Sequence, residues 1–387
     1  MRIAFVSLMG GLPWGGSEAL WHAVAIHALK QGDKVFVSVY DWGTLHHKVR
    51  ELQGLGATIH TRKRYNPNAG FTERIGRFIK KRKPSLDRNY QAITVFRPDV
   101  VFISQGDSFD LAIHHRSLYK LLQAHAIPYT LVCHNHVQYS WLPPAEIFPR
   151  AIDIFRDAKR VFFVSHRQWQ LTERRLATKL SNATLTWNPL NLELPSVPLP
   201  WPAGETVCFA MVANLIGAKG HDTAFEVFSQ EQWRSRQWRL NIYGTGEGLT
   251  YLQNLAGFYG IDDKIFFKGH TEDIQGVWME NHLLLIPSAG EGLPISLVET
   301  MACGRPAVVT DVGGNIELIS EVESGFIAVS PTTQSFGCAL EKAWQKKQHW
   351  QQIGVNAFLK MHSIYEKDPH VKIYQILSIP EREGITS

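Results

Sequence analysis

The sequence contains no uninterrupted apolar run close to the roughly 20 residues that a helix needs to cross a bilayer. Its hydrophobic content of 44% is ordinary for a globular protein. The apolar stretch within MRIAFVSLMGG is too short for a signal peptide and predicts a buried first strand that ends in glycines. We therefore expect no transmembrane helix and a protein that stays in the cytoplasm.

Cysteine is also scarce, with four residues in a chain of 387. The absence of C-x-x-C spacing argues against a disulfide framework and against a zinc site. No G-x-G-x-x-G motif follows a predicted strand, which argues against a nicotinamide-dependent dehydrogenase. The four cysteines stand in apolar contexts and are expected to be small core residues: Cys133, Cys208, Cys303 and Cys338.

What the sequence does contain is an alternation of short apolar runs with helical patterns, over a length that favours two domains. This alternation predicts doubly wound α/β domains. The predicted strands of the first half are 3–8, 34–39, 100–103, 129–133, 161–164 and 185–187, and those of the second half are 207–213, 240–243, 265–268, 283–286, 307–310 and 325–329.

Between the two halves, the stretch 188–202 contains five prolines, which neither a helix nor a central strand tolerates. We therefore predict an N-terminal Rossmann-like domain over 1–187 and a linker over 188–204. A C-terminal Rossmann-like domain follows over 205–362, and residues 363–387 form a last helix. Ligands of open parallel sheets bind beyond the carboxyl ends of the strands, so we expect one site in a cleft between the domains.

The most specific segment is PSAGEGLPISLVETMACG, which places Glu291 and Glu299 on either side of a glycine-rich turn into a helix. Glycines at 290 and 292 let the backbone approach a ligand, and Pro294 suits the first turn of a helix. Carboxylates accept hydrogen bonds from vicinal hydroxyls, and free amides at a helix start attract phosphate. One short segment is thus suited to bind the sugar, the ribose and the diphosphate of a sugar nucleotide.

Further motifs occur in a fixed order along the chain: Gly15-Gly16-Ser17-Glu18, Lys219-Gly220, Gly244-Thr245-Gly246-Glu247 and the segment Ser288 to Glu317. With them, the sequence resembles the retaining glycosyltransferases of family 4, also known as glycosyl transferases group 1, over nearly its whole length. The resemblance implies an α/β GT-B fold, in which two doubly wound Rossmann-like domains face each other across a cleft. The first domain would bind the acceptor and the second the donor, and the last helix would cross back to the first domain.

The resemblance also implies the roles of individual residues. Lys219 would neutralise the donor diphosphate, Glu291 would orient the sugar hydroxyls, and Glu299 would hold the ribose. His134, which follows an apolar strand, matches a histidine that contacts the donor sugar, with His136 as the competing assignment. The other predicted donor contacts are Gly15, Gly16, Asn214, Gly244, Thr271, Gly292, Leu293 and Pro294, and Asp107 is a candidate acceptor contact.

One position departs from the family pattern, because the family commonly has an arginine where this chain has Asn214. An amide can donate a hydrogen bond to phosphate but supplies no charge. Arg305 or a residue of the N-terminal half could supply the missing charge. The departure also opens an alternative in which the protein binds a sugar nucleotide without catalysing transfer, and a sugar-nucleotide epimerase or glycosyl phosphorylase on the same fold is a further alternative.

The implied reaction transfers a hexose to a hydroxyl acceptor with retention and without a cofactor, in the synthesis of a glycan, exopolysaccharide or glycolipid. A UDP-sugar is favoured over a GDP-sugar as the donor. No Asp-x-Asp pair stands where a divalent cation would be required, so we expect no metal. The acceptor itself could be a glycan, a lipid-linked compound or a small molecule.

The segment Arg62 to Lys83 carries nine basic residues, with Phe71, Ile75, Phe78 and Ile79 on one helical face. Such a helix could lie on an anionic membrane, as a peripheral contact at its inner face. The alternative is a solvated helix packed on the N-terminal sheet. Nucleic acid is not an expected partner, because the surplus of charge is local and no nucleic-acid motif accompanies it.

Overall fold

The computed structural model describes residues 1–63, 88–135 and 145–379. The chain divides into two compact units. The first comprises Met1–Val164, Trp169–Pro189 and Glu366–Ser387, and the second comprises Ser165–Gln168 and Leu190–Tyr365. Within the described residues, none of the helices is both long and apolar enough to cross a membrane.

The first unit is built on a seven-stranded parallel sheet with the strand order β3-β2-β1-β4-β5-β6-β7. The strands are β1 Arg2–Ser7, β2 Lys34–Tyr40, β3 Thr58–Arg62, β4 Val100–Asp107, β5 Tyr129–Asn135, β6 Arg160–Phe163 and β7 Ala183–Leu185. The described helices up to the linker are α1 Gly16–Lys30, α2 His47–Gly54, α3 Arg88–Phe96, α4 Asp110–His114, α5 Arg116–Ala124, α6 Phe148–Asp157 and α7 His166–Leu176.

Both faces of this sheet are covered, so a central strand is apolar on both sides. In β1, Ile3 and Phe5 lie in one hydrophobic core and Ala4 and Val6 lie in the other. The run IAFV therefore has no polar alternation, which is why it stands out in the sequence.

The second unit contains a six-stranded parallel sheet with the order β10-β9-β8-β11-β12-β13. The strands are β8 Val207–Val212, β9 Trp238–Tyr243, β10 Ile265–Gly269, β11 Leu283–Ile286, β12 Ala307–Thr310 and β13 Phe326–Ala328. The helices are α8 His221–Ser229, α9 Glu231–Arg234, α10 Leu249–Tyr259, α11 Ile274–Glu280, α12 Ile295–Ala302, α13 Asn315–Leu318, α14 Thr333–Gln345 and α15 Trp350–Ile364.

The last described helix, α16 (Pro369–Ser378), packs against α1 inside the first unit. Ile373 and Leu377 are buried in the same core as Ile3 and Phe5. The Tyr374 hydroxyl donates a hydrogen bond to Asp33 at 2.8 Å.

Four details differ from the sequence expectations. The last strand of the first sheet was predicted over 185–187 and is observed over Ala183–Leu185. Strand β3 was not predicted, and its last residue, Arg62, is buried, with its guanidinium against the rings of Tyr40 and Tyr90. Arg62 therefore does not belong to a solvated or membrane-bound helix, and residues 64–87 of that segment lie outside the described part of the chain. Cys338 is exposed and is not a core residue, whereas the other three cysteines are buried.

Candidate functional site

In the second sheet, the order of the strands reverses between β8 and β11, which are neighbours. Open parallel sheets bind ligands beyond the carboxyl ends of the strands at such a reversal. The loop after β8 contains a short 3-10 turn, Gly217–Lys219, before α8 begins, and the loop after β11 leads into α12. The candidate site is formed by these two loops.

The two loops pack backbone against backbone. Ala289 N–H donates a hydrogen bond to the carbonyl of Ala218 at 2.9 Å. Gly220 has a φ of +70°, and a Cβ atom there would overlap the carbonyl group of Pro287. Only glycine satisfies both conditions without strain. This close approach places Lys219 beside the loop that carries Glu291.

Lys219 and Glu291 form an ion pair in which the ammonium contacts both carboxylate oxygens. The Lys219 Nζ atom lies 2.7 Å from Oε1 and 2.8 Å from Oε2 of Glu291. The Ser288 hydroxyl donates a further hydrogen bond to Oε1 at 2.7 Å. The side chain of Glu291 is 9% exposed and that of Lys219 is 23% exposed. The pair thus combines a fixed acceptor of hydroxyl groups with a cation that solvent can still reach.

The loop from Glu291 to Leu293 is held from its other side by glycines after β12. Gly313 has a φ of +51°, and a Cβ atom there would overlap the carbonyl group of Glu291. Gly314 N–H donates to the carbonyl of Gly292 at 2.6 Å. Both glycines belong to the motif from Ser288 to Glu317, but the sequence alone assigns them no role. Their role is to fix the backbone that carries Glu291.

Gly292, Leu293 and Pro294 are buried, and Pro294 is the N-cap of α12, one position before the first helical residue. Pro294 adopts an extended conformation, with a φ of −64° and a ψ of 121°. The first amides of α12 therefore follow directly on this loop. Free amides at a helix start favour an anion, and the predicted contact of this helix start with a phosphate stays a prediction.

Glu299 lies in α12 and is almost completely buried, with 3% exposure. Its Oε1 atom accepts two hydrogen bonds from Asn191, one from the backbone N–H and one from the side-chain amide, each at 3.0 Å. Burial raises the pKa of the Glu299 carboxyl to about 7, while the hydrogen bonds from Asn191 oppose this rise. Asn191 was not identified from the sequence, where it appears only as one residue of the proline-rich linker.

The glycine-rich loop after β9 packs on the loop that contains Asn214. Gly244 has a φ of +140°, and a Cβ atom there would overlap the carbonyl group of Ala213. Leu215 N–H donates to the carbonyl of Thr245 at 3.0 Å. Close backbone packing thus accounts for the glycine at 244. Asn214 itself is half-buried.

Thr271 follows strand β10, and its hydroxyl oxygen accepts a hydrogen bond from Asp273 N–H at 3.1 Å. Asp273 in turn caps α11, with its carboxylate accepting from Gly276 N–H at 2.8 Å. Thr271 therefore contributes to a local turn, and its predicted contact with the nucleotide stays a prediction.

Arg305 does not supply the charge that Asn214 lacks, so this one of the two alternatives was wrong, and a charge from the N-terminal half stays a prediction. Its guanidinium is completely buried and lies over the Trp201 ring. The guanidinium donates hydrogen bonds to the carbonyls of Leu199, Pro200, Trp278, Asn281, Cys303 and Gly304. Arg305 therefore fixes the linker, and its burial keeps the guanidinium away from a bound phosphate.

The candidates of the N-terminal half lie in the first unit. Gly15 is the N-cap of α1, which begins at Gly16, and a Cβ atom at Gly15 would meet nothing within 4 Å. His134 is buried at the end of β5, with its Nε2 atom 3.1 Å from the Ser104 hydroxyl. Burial lowers the pKa of His134 to about 4, so the imidazole is neutral at pH 7. His136, the competing assignment, lies outside the described residues.

Asp107 ends β4, the neighbour of β5, and pairs in register with Asn135. Its carboxylate accepts a hydrogen bond from Phe109 N–H at 3.1 Å. Asp107 and His134 thus lie at the same edge of the first sheet. Across residues 1–63, 88–135 and 145–379, no group of three or more His, Cys, Asp or Glu side chains is arranged to hold a metal ion.

Residues 202–360 match the protein family described as "Glycosyl transferases group 1". An uncharacterized glycosyltransferase of Haemophilus influenzae is 31% identical over 150 residues, which are 38% of this chain and 42% of that protein. A phosphatidylinositol N-acetylglucosaminyltransferase subunit of Arabidopsis thaliana is 21% identical over 349 residues, 89% of this chain and 74% of that protein. The matches to the first curated relatives span less than half of their length.

Solved structures extend the likeness to nearly the whole chain. HepE of Anabaena in complex with UDP-glucose superposes with a TM-score of 0.71 at 15% identity, covering 97% of this chain and 98% of HepE. Sucrose-phosphate synthase of Thermosynechococcus elongatus gives a TM-score of 0.72 at 16% identity, covering 97% and 98%. These neighbours show that the chain has the GT-B fold, with two parallel-sheet α/β domains, as the sequence predicted.

Proposed function

We propose that this protein is a retaining, metal-independent glycosyltransferase of family 4 that transfers a hexose from a nucleoside-diphosphate sugar to a hydroxyl acceptor. The observation that carries the proposal is the pairing of Lys219 with Glu291 at the reversal point of the second sheet. A cation next to a hydroxyl-binding carboxylate matches the two chemical parts of such a donor. The family match over residues 202–360 covers the same loops.

In the proposed reaction, the bond between the anomeric carbon and the β-phosphate oxygen breaks as the bond to the acceptor oxygen forms on the same face. Lys219 neutralises the charge that develops on the diphosphate, together with the first amides of α12. Glu291 orients the sugar hydroxyls and stabilises an oxocarbenium-like state. The leaving phosphate oxygen takes the proton of the acceptor hydroxyl, so no covalent protein nucleophile is needed.

In this reaction, the neutral imidazole of His134 donates a hydrogen bond to the sugar of the sugar nucleotide, which is consistent with its lowered pKa. Glu299 accepts hydrogen bonds from the ribose. Gly15, Gly16, Asn214, Gly244 and Thr271 are proposed to complete the donor site, and Asp107 is proposed to contact the acceptor. A UDP-sugar is favoured as the donor, and neighbours of the same fold that bind UDP or UDP-glucose support this choice.

The first test is product analysis with a panel of UDP- and GDP-sugars. We expect one donor to be hydrolysed slowly in the absence of an acceptor. Replacement of Lys219 by alanine is expected to lower kcat/KM by about 100-fold or more, because one stabilising donor to the developing charge is lost. Lys342→Ala is the matched control, because it removes an exposed lysine paired with Glu321 in the same unit and is expected to change little. Equal turnover by wild type and Lys219→Ala would contradict the proposal.

Two further readouts address the finer claims. Retention predicts that the anomeric configuration of the donor reappears in the product, which NMR spectroscopy of the transferred sugar determines. Metal independence predicts an unchanged rate in EDTA. An inverted product or a rate abolished by EDTA and restored by Mg²⁺ would contradict the respective claim.

The second candidate is a protein that binds a sugar nucleotide without transferring the sugar, and Asn214 in place of a cation favours it. Binding of a donor without hydrolysis or transfer, even with a panel of hydroxyl acceptors, would support this candidate. Conversion of the donor into its epimer would instead support a sugar-nucleotide epimerase of the same fold.

The acceptor is proposed to be a glycan, a lipid-linked compound or a small molecule, used in glycan, exopolysaccharide or glycolipid synthesis. Membrane contact through the segment Arg62 to Lys83 rests on the sequence alone. Arg62 itself is excluded from it, because it is buried in strand β3. Co-sedimentation with liposomes tests the remainder of the segment, and equal binding to neutral and anionic vesicles would contradict membrane contact.

A further inference from the structure

The linker to the second unit is fixed along that unit at several points. Gln275 donates a hydrogen bond to the carbonyl of Glu193 at 3.4 Å, and the His362 ring contacts the carbonyl of Pro195 at 2.8 Å. Leu199 N–H donates to the carbonyl of Cys303 at 3.2 Å. Each of these contacts uses a backbone group of the linker and none of its side chains.

The contact of Asn191 is different, because it ends on a carboxylate of the candidate site. Both donors of Asn191 converge on a single atom, Oε1 of Glu299. The second oxygen, Oε2, accepts no hydrogen bond from any residue in the described part of the chain. Two hydrogen bonds to one oxygen fix the rotation of the carboxylate plane, because the side chain cannot turn without losing both.

We infer that Asn191 is a positioning residue, which holds Oε1 of Glu299 so that Oε2 is presented to the hydroxyl groups of a nucleotide ribose. This inference rests on the proposed function and deepens it, because it assigns a specificity role to a residue of the linker. A carboxylate held in one orientation binds a diol without first losing rotational freedom. Asn191 is itself exposed, so its amide can be removed without opening a cavity in the core.

The test compares two ligands that differ only in the ribose hydroxyls, UDP and 2′,3′-dideoxy-UDP, by calorimetric titration. We expect wild type to bind UDP more tightly. Asn191→Ala is expected to reduce this preference about three- to tenfold, the effect of one lost hydrogen bond, while the affinity for the dideoxy ligand stays unchanged. In a Glu299→Ala background, the same change at Asn191 is expected to have no further effect on the preference.

Gln275→Ala is the matched control, because it releases the linker at another point without touching Glu299. It is expected to leave the ribose preference as in wild type. If Asn191→Ala weakens the binding of both ligands equally, or leaves the preference for UDP over 2′,3′-dideoxy-UDP unchanged, the positioning role is overturned while the proposed function stands. If wild type binds neither UDP nor GDP, the proposed function fails and the inference fails with it.

Discussion

At the scale of single residues, the buried carboxyl of Glu299 makes the second unit sensitive to pH. Its pKa in the folded protein is about 7, against an ordinary value of 4.5, because burial penalises the charged form. The folded state therefore binds this proton more tightly than the unfolded chain. The resulting contribution to stability is fully present below pH 4.5 and is lost as the pH rises through about 7.

Glu299→Gln removes this titration and keeps an oxygen that can accept from Asn191. The free energy of unfolding of the variant, relative to wild type, is expected to rise by up to about 3 kcal/mol between pH 4.5 and pH 8. Urea unfolding of both proteins over this range measures the difference, and other titrating groups cancel because they are common to both. A difference that does not vary with pH would contradict the raised pKa.

The residues of the site differ in how far the sequence could predict them. Lys219 and Glu291 each follow a strand at the reversal point of the sheet, and motif and topology together bring them into contact across 72 positions. Asn191 has no such signal, because its role depends on one tertiary contact across 108 positions. The role of Arg305 could not be predicted, because a sequence does not show that six backbone carbonyl groups accept hydrogen bonds from its guanidinium.

At the scale of elements, apolar strands were predictable and polar ones were not. Strand β3 has the sequence TIHTR, which contains a single aliphatic residue and lies at the edge of its sheet. An edge strand is covered less completely and does not need a continuous apolar run. The central strands of both sheets were found because burial on two faces demands such runs.

Because the two site loops approach closely at Gly220, whereas a Cβ atom at Gly217 would point into open space, we expect substitution of these two glycines to have different effects on stability and donor affinity. Gly220→Ala introduces a side chain at positive φ and pushes it into the Pro287 carbonyl. We expect a loss of stability of about 1–3 kcal/mol and a weaker affinity for the donor, because the loops that carry Lys219 and Glu291 must separate. Gly217→Ala is the control, since a Cβ atom there meets nothing within 4 Å. Similar melting temperatures and donor affinities for both variants would argue against the claim that the contact at Gly220 holds the two loops together.

The packing of α16 predicts that the end of the chain stabilises the first unit. Ile373→Ala removes a side chain that is 1% exposed and is expected to cost about 2–5 kcal/mol. Ile379→Ala, at a position that is 58% exposed, is expected to change stability by less than about 0.5 kcal/mol. Truncation from Tyr365 is likewise expected to lower the melting temperature. An unchanged melting temperature in Ile373→Ala or in the truncated protein would show that α16 contributes little.

At the scale of the whole molecule, the two parallel sheets have similar topology but different side chains at the carboxyl ends of their strands. The edge of the second sheet combines a cation, two carboxylates and the start of α12, which together fit a nucleoside-diphosphate sugar. The edge of the first sheet offers a neutral histidine and Asp107, which do not specify an acceptor. The likeness to solved structures shows the GT-B fold, whereas the sugar and the acceptor of the proposed reaction depend on loops that the sequence pattern does not define.

The central claim is that the loops around Lys219 and Glu291 bind a sugar nucleotide, and calorimetric titration of wild type and Lys219→Ala with UDP, GDP, UDP-glucose and further sugar nucleotides tests it most directly. We predict that wild type binds at least one of these ligands, and that Lys219→Ala binds it at least about tenfold more weakly, since a charge-assisted contact to the diphosphate is lost. Equal affinity of the two proteins, or no binding by wild type, would contradict the account.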